Sequence, residues 1–244
     1  MSAPGLGAPG MVERLPLDRY HSGVRFTLLV GWALTSAVLY FGGLALWALI
    51  FGESAGWLWL PWMIAVLFLS QFLGRWGERL LIERWPSGRV LELSGPRLTL
   101  HERGGPLTFD LHGKVNYWRW RFRIRGRRST RVPDGHYCCA IQLVQSGGKP
   151  EQAGLASLYA FLPPQQAEAL QARLPFHEMR RPDEKVRDKT GQRAAAPALS
   201  GRDAAFMAAE RARWEQGAEL DPADFEKLLR HLDAHLAGFA ATTS

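Results

Sequence analysis

Cysteine is scarce in this sequence: there are two, Cys138 and Cys139, adjacent in "HYCCAIQLV". Neighbouring residues of an extended strand point to opposite faces, and no C-x-x-C or other metal or redox spacing is present. That excludes a cysteine-built metal or redox centre and leaves reduced, structural thiols of the kind expected in a cytosolic compartment. Catalytic signatures are missing too. There is no G-x-x-x-x-G-K-[ST] loop, no G-x-G-x-x-G after a strand, no G-x-S-x-G and no H-E-x-x-H. Asp110, His112, Asp134 and His136 lie near turns, and their spacing makes no catalytic set. The expectation is a protein that is not an enzyme and that holds no cofactor or metal.

Charge is the other absence. None falls from Phe26 through Gly52, and none from Ser54 through Gly74. The run "FTLLVGWALTSAVLYFGGLALWALIF" is longer than the core of a cleaved signal and leads straight into a second apolar run. At about 1.5 Å per residue, 20 helical residues cross a hydrocarbon core of about 30 Å. "AGWLWLPWMIAVLFLSQFLG" gives a second, shorter span, with Pro61 near its start, where proline costs a helix least. Only "GES" separates the two, so a two-helix transmembrane hairpin over residues 24–76 is expected, preceded by a cytoplasmic segment, 1–23. Neither span contains an ionisable residue, which argues against a proton relay or ion pathway.

Arg14, Arg19 and Arg25 precede the first span, and Arg75, Arg79 and Arg84 follow the second; the turn carries Glu53 and no Lys or Arg. The positive-inside rule then places both termini in the cytoplasm, at a cytoplasmic (inner) membrane. Trp47, Trp57, Trp59 and Trp62 gather at the turn, and Trp76 and Trp85 at the other end, as interfacial belts do. Gly31, Ala33, Ala37, Gly42 and Gly43 allow close helix approach, either by the second span or by a partner.

After Arg84 the hydrophobic period changes. "RVLELS", "RLTLHE", "PLTFDL", the run from Val115 to Arg125, "HYCCAIQLVQ" and "GLASLYAFL" are short extended runs between Gly and Pro turns, the pattern of an all-β sheet, sandwich or barrel. Then "PPQQAEALQARLPF" sets Pro163 and Pro164 at a helix start and aligns Ala167, Leu170 and Leu174 on one stripe. Two spans, a short turn, and a strand-rich domain ending in "LYAFLPPQQAEALQARL" resemble the bacterial membrane proteins that carry pleckstrin-homology-like (PH-like) domains. The resemblance covers roughly residues 24 to 176. It implies a PH-like domain over residues 86–176, all β and closed by one helix, acting as a scaffold or interaction module at the inner membrane face. It brings no active-site residues.

The whole net charge of +7 lies between Arg75 and Glu178, and its densest part is "NYWRWRFRIRGRR". Alternation puts Trp118, Trp120, Phe122 and Ile124 on one face and Tyr117, Arg119, Arg121, Arg123 and Arg125 on the other. Arg127, Arg128 and Arg131 extend the charge into the next turn. The aromatic face reads as core and the arginine face as solvent-directed. Nucleic acid is disfavoured, because single-strand binders place aromatics and cations on one platform. A charged edge against strand association, a solvated face, and an acidic partner remain. The candidate site is therefore Arg119, Arg121, Arg123, Arg125, Arg127 and Arg128, facing anionic lipid headgroups or an acidic protein, since basic residues near the inner leaflet gain about 1 kcal/mol each.

Residues 177–199 mix both charges with Pro, Gly and Ala and read as a flexible linker. A helical interaction segment, 200–240, follows. Its first helix opens at "SGRD" and has a thin apolar face, Phe206, Met207 and Trp214, interrupted by Glu210. Its second, capped by Asp221 and Pro222, aligns Phe225, Leu228, Leu229, Leu232, Leu236 and Phe239. Such a stripe packs within the chain or on another chain, and the linker favours a partner. His231 and His235 share a metal-ligand spacing but find no third ligand. Two functions are carried forward. One is a non-catalytic membrane scaffold or accessory subunit that holds protein partners, homo-oligomers included. The other is a membrane-anchored sensor or regulator that recognises an acidic headgroup or other ligand.

Overall fold

The computed structural model describes residues 12–52, 59–124, 132–145, 154–179 and 201–239. The chain divides into two compact units: a helical unit, residues 19–87, and a sheet unit, residues 1–18 with 88–244.

The helical unit is two helices, α1 (Ser22–Phe51) and α2 (Trp59–Arg84). They run antiparallel. His21 hydrogen-bonds the Trp85 carbonyl (3.1 Å), Gly74 faces the Trp32 indole, and the Trp62 Nε1–H donates to the Tyr40 carbonyl (3.3 Å). Gly43 is required here, because a Cβ in its place would overlap the Trp62 ring. The outer surface is apolar: Val38 and Phe41 stand out, and Leu49 is 84 % exposed.

Among the described residues one helix, α1, is long and apolar enough to cross a membrane. The charge-free part of α2 runs from Trp59 to Gly74, about 24 Å at 1.5 Å per residue, short of a full hydrocarbon core. Helix also outlasts the expected end at residue 76. Glu78 to Arg84 is a run of good helix formers, and it stays beside the first turns of α1, where Val24 is buried.

Among the described residues the sheet unit holds six longer strands, the extended runs expected from alternation: β2 (Val90–Ser94), β3 (Arg97–Glu102), β4 (Gly105–Asp110), β5 (Val115–Arg123), β6 (Tyr137–Gln145) and β7 (Gly154–Leu162). A seventh, β1 (Glu13–Pro16), comes from the segment expected to stand apart at the N-terminus. Its signal, Leu15 and Leu17 alternating, is only two residues long, and Pro16 suits the edge position it takes. One sheet is β1-β2-β3-β4, antiparallel throughout. The other is built on antiparallel β5-β6-β7, and two-residue strands flank it in parallel: β8 (His177–Glu178) on β5 and β9 (Ala218–Glu219) on β7.

Among the described residues three helices complete the unit: α3 (Pro164–Arg173), α4 (Gly201–Gln216) and α5 (Pro222–His235). One face of β5-β6-β7 shares a core with the first sheet, α3 and α5, through Leu91, Leu98, Ile141, Leu158, Leu170 and Leu228. The opposite face, with Trp120, Phe122 and Cys138, is covered by Phe206 and Ala209 of α4. Cys139 lies in the first core and Cys138 in the second, as alternation requires. The expected all-β domain closed by a single helix is thus corrected to a mixed α/β body. The supposed linker begins as β8, and the supposed interaction segment supplies both α4 and α5.

Candidate functional site

The arginine strand is the feature the sequence singled out, and β5 divides its residues as predicted. Trp120, Phe122 and Ile124 are buried on the α4 side. Arg119 and Arg121 take the other side, but that side is not open to solvent: they are 5 % and 8 % exposed. The Arg119 guanidinium lies 4.8 Å from the Phe239 ring centre and 5.8 Å from that of Tyr117. The Tyr117 hydroxyl donates to the Gly238 carbonyl beside it. Burial pushes the Arg119 guanidinium below its ordinary pKa, while Tyr117 and Asp233 act in the opposite direction.

Arg121 lies 4.9 Å over the Tyr137 ring, donates to the Ala167 carbonyl (3.4 Å) and reaches Glu178 (3.4 Å). The expected solvent-directed ladder is therefore corrected for these two residues, because α3, β8 and the segment around Gly238 and Phe239 cover them. Arg123 remains exposed beside Gly135. Arg125, Arg127 and Arg128 lie outside the described residues.

The apolar stripe of α5 is corrected in the same direction. Phe225, Leu228, Leu229, Leu232, Leu236 and Phe239 are all buried in the core shared by both sheets. They close their own domain and leave no stripe for a partner. α4 shows why its apolar face looked thin. Glu210 accepts from the Trp120 Nε1–H (2.9 Å) and pairs with Arg213 (2.7 and 2.6 Å), and Arg213 stacks 4.5 Å over Tyr159. Burial works against the charge on Arg213, but the hydrogen bonds and charge of Glu210 outweigh it and leave the guanidinium above its ordinary pKa. The residue that interrupted the stripe is the acceptor for the Trp120 indole of β5 and for Arg213 one turn along its own helix.

Sequence reasoning missed a junction at the point where the sheet unit gives way to the helices. Asp18 takes a left-handed backbone turn (φ 48°). Its carboxylate accepts from Arg89 (2.6 Å) and from the Glu219 backbone N–H (2.8 Å), and Arg89 also pairs with Glu102. The partners are far apart in sequence, so no local spacing announces them. Elsewhere, a groove of about 550 Å³ between α3 and the start of α5 has Leu162, Leu170 and Phe225 along it and the Arg173–Glu226 pair (3.4 Å) at its rim.

Asp110 and His112 meet in a turn, where the Asp110 carboxylate accepts from the His112 N–H (3.1 Å). His231 and His235 are tilted against each other, 4.5 Å between ring centres, and the His235 Nδ1 contacts the His231 carbonyl (3.0 Å). Among the described residues no group of three or more His, Cys, Asp or Glu side chains could hold a metal ion. Comparison with protein-family models, with curated proteins and with solved structures finds no match to this chain.

Proposed function

We propose that this chain is a non-catalytic membrane scaffold or accessory subunit: α1 and α2 form a two-span anchor, and the sheet unit is a PH-like module held at the cytoplasmic face. One observation carries the reading, the exposed apolar surface of α1. None of its most apolar stretch is buried within the chain. Leaving large aliphatic and aromatic side chains in water costs roughly 1.5–3 kcal/mol each, and a bilayer removes that cost. The arginines at the open end of the hairpin, and a turn without Lys or Arg, support the orientation. Strands running into the Pro-capped α3 support the PH-like assignment. The non-catalytic part rests on the sequence, which carries none of the catalytic motifs sought.

With the α5 stripe engaged in its own core, the partner surface in this reading moves to the outer faces of the hairpin and of the sheet unit. The sensor reading loses support for the same reason, since Arg119 and Arg121 are occupied by the chain's own rings and carbonyls. Purification of the full chain from native membranes in mild detergent tests the choice. A scaffold elutes well above the 27.3 kDa of one chain, with companions or further copies in fixed stoichiometry. A chain that elutes alone and binds anionic vesicles would be the sensor.

A further inference from the structure

The two helices of the hairpin present apolar surfaces of unequal length. On α1 that surface runs from Phe26 to Phe51, and on α2 from Trp59 to Phe72, roughly 38 Å against 20 Å at 1.5 Å per residue. Trp85 packs on Gly23 and Trp32 on Gly74, so residues 75–84 of α2 run beside residues 22–31 of α1. At this level α1 exposes Phe26 (68 %), Leu29 (65 %) and Val30, with Arg25 near its start, while α2 exposes Arg75, Trp76 and Arg79. Arg75 and Arg79 are one turn apart and share a face, in line with the exposed Phe68 and Phe72. Glu78 and Glu83 are the acids of this stretch. Among the described residues neither pairs with Arg75 or Arg79.

We propose that Arg75 and Arg79, with Trp76 between them, form a binding site for phospholipid phosphate at the cytoplasmic end of the hairpin. The inference rests on the reading of the hairpin as a membrane anchor. Guanidinium is the side chain best shaped to take a phosphodiester through paired N–H donors. Long basic side chains reach from apolar surroundings to the headgroups, and tryptophan favours that level. An acidic protein surface would satisfy the arginines but leave Phe26, Leu29 and Val30 in water at the same height. A lipid leaflet supplies both, phosphate to α2 and acyl chain to α1. The site thereby sets the depth at which the hairpin rests.

The test places a fluorescent label on Leu29→Cys in the full chain; Cys138 and Cys139 are fully buried and remain unlabelled. The chain is reconstituted into phosphatidylcholine vesicles, with and without phosphatidylglycerol, and quenching by lipids brominated near the headgroup is compared with quenching by lipids brominated near the chain end. The shallow quencher should dominate in the native chain, the ratio of shallow to deep quenching should fall in R75Q/R79Q, and R75K/R79K should restore it. Retained depth in phosphatidylcholine alone assigns the contact to the phosphodiester, and depth held only with phosphatidylglycerol assigns it to the anionic lipid. An unchanged ratio in R75Q/R79Q, or a label that no brominated lipid quenches while the protein floats with the vesicles, overturns the proposal. Failure of every variant to float would instead remove the membrane reading beneath it.

Discussion

Arg119 and Arg121 stand on the strand face opposite Trp120, as alternation dictates, and yet are buried. Alternation fixes a side, and only the rest of the chain decides what covers it. An arginine can accept that cover because its stem and planar head pack on rings while its N–H groups find carbonyls. Replacing Arg121 with Gln should therefore cost roughly 1–3 kcal/mol, through the lost Tyr137 stacking and the lost contacts to Ala167 and Glu178. Chemical denaturation should show the loss, and binding to anionic vesicles should not change. Weakened vesicle binding at full stability would return Arg121 to the surface role.

Cys139 makes a pH-dependent prediction at the same scale. Burial pushes its thiol up to about 12 from an ordinary 9.0. Between those values the unfolded chain has released this proton and the folded chain has kept it. The thiol's contribution to stability therefore falls as pH rises, by about 1.4 kcal/mol per pH unit. Cys139→Ala should remove that slope from denaturation midpoints measured across the window.

At the scale of elements, β2 to β7 were legible because each carries its own alternation and its own turn signals. β8 and β9 were not, because two residues have no period and exist as strands only through pairing with β5 and β7. The stripe of α5 was equally plain in the sequence. Its destination was not, since an amphipathic face states that something covers it and leaves open what does. Glu210 misled for a related reason: on the helix alone it breaks the stripe, and only the Trp120 indole of β5 shows it to be a half-buried acceptor. Leu232 lies at 0 % exposure in the shared core, and Leu232→Ala should cost about 2–5 kcal/mol and lower the melting temperature accordingly. A partner-docking stripe would have predicted lost association with unchanged melting.

On the scale of the whole molecule, the chain is a sheet domain interrupted by a helical hairpin. β1 and β2 are antiparallel neighbours, with Pro16 opposite Val90 and the Leu17 N–H donating to the Arg89 carbonyl (3.1 Å). The helical unit occupies the position of a hairpin loop between them. The two apolar runs were visible in the sequence as absences of charge. That the N-terminal segment before them belongs to the domain after them was not, because the pairing spans the whole insertion. Asp18 and Arg89 fasten the two ends of that loop, so the domain should not need its helices to fold. Replacing residues 20–87 with a short Gly/Ser turn should leave a cooperatively folded sheet unit with β1 still in place. Loss of cooperative unfolding in that variant would show that the helices are structural to the domain.

The same variant tests the central claim, that α1 and α2 hold the protein in a membrane. The measurement is the partition of the full chain and of the excised chain between pellet and supernatant after carbonate washing of membranes that contain them. The account predicts the full chain in the pellet and the excised chain in the supernatant. A full chain released by carbonate, or an excised chain that pellets equally well, would contradict it.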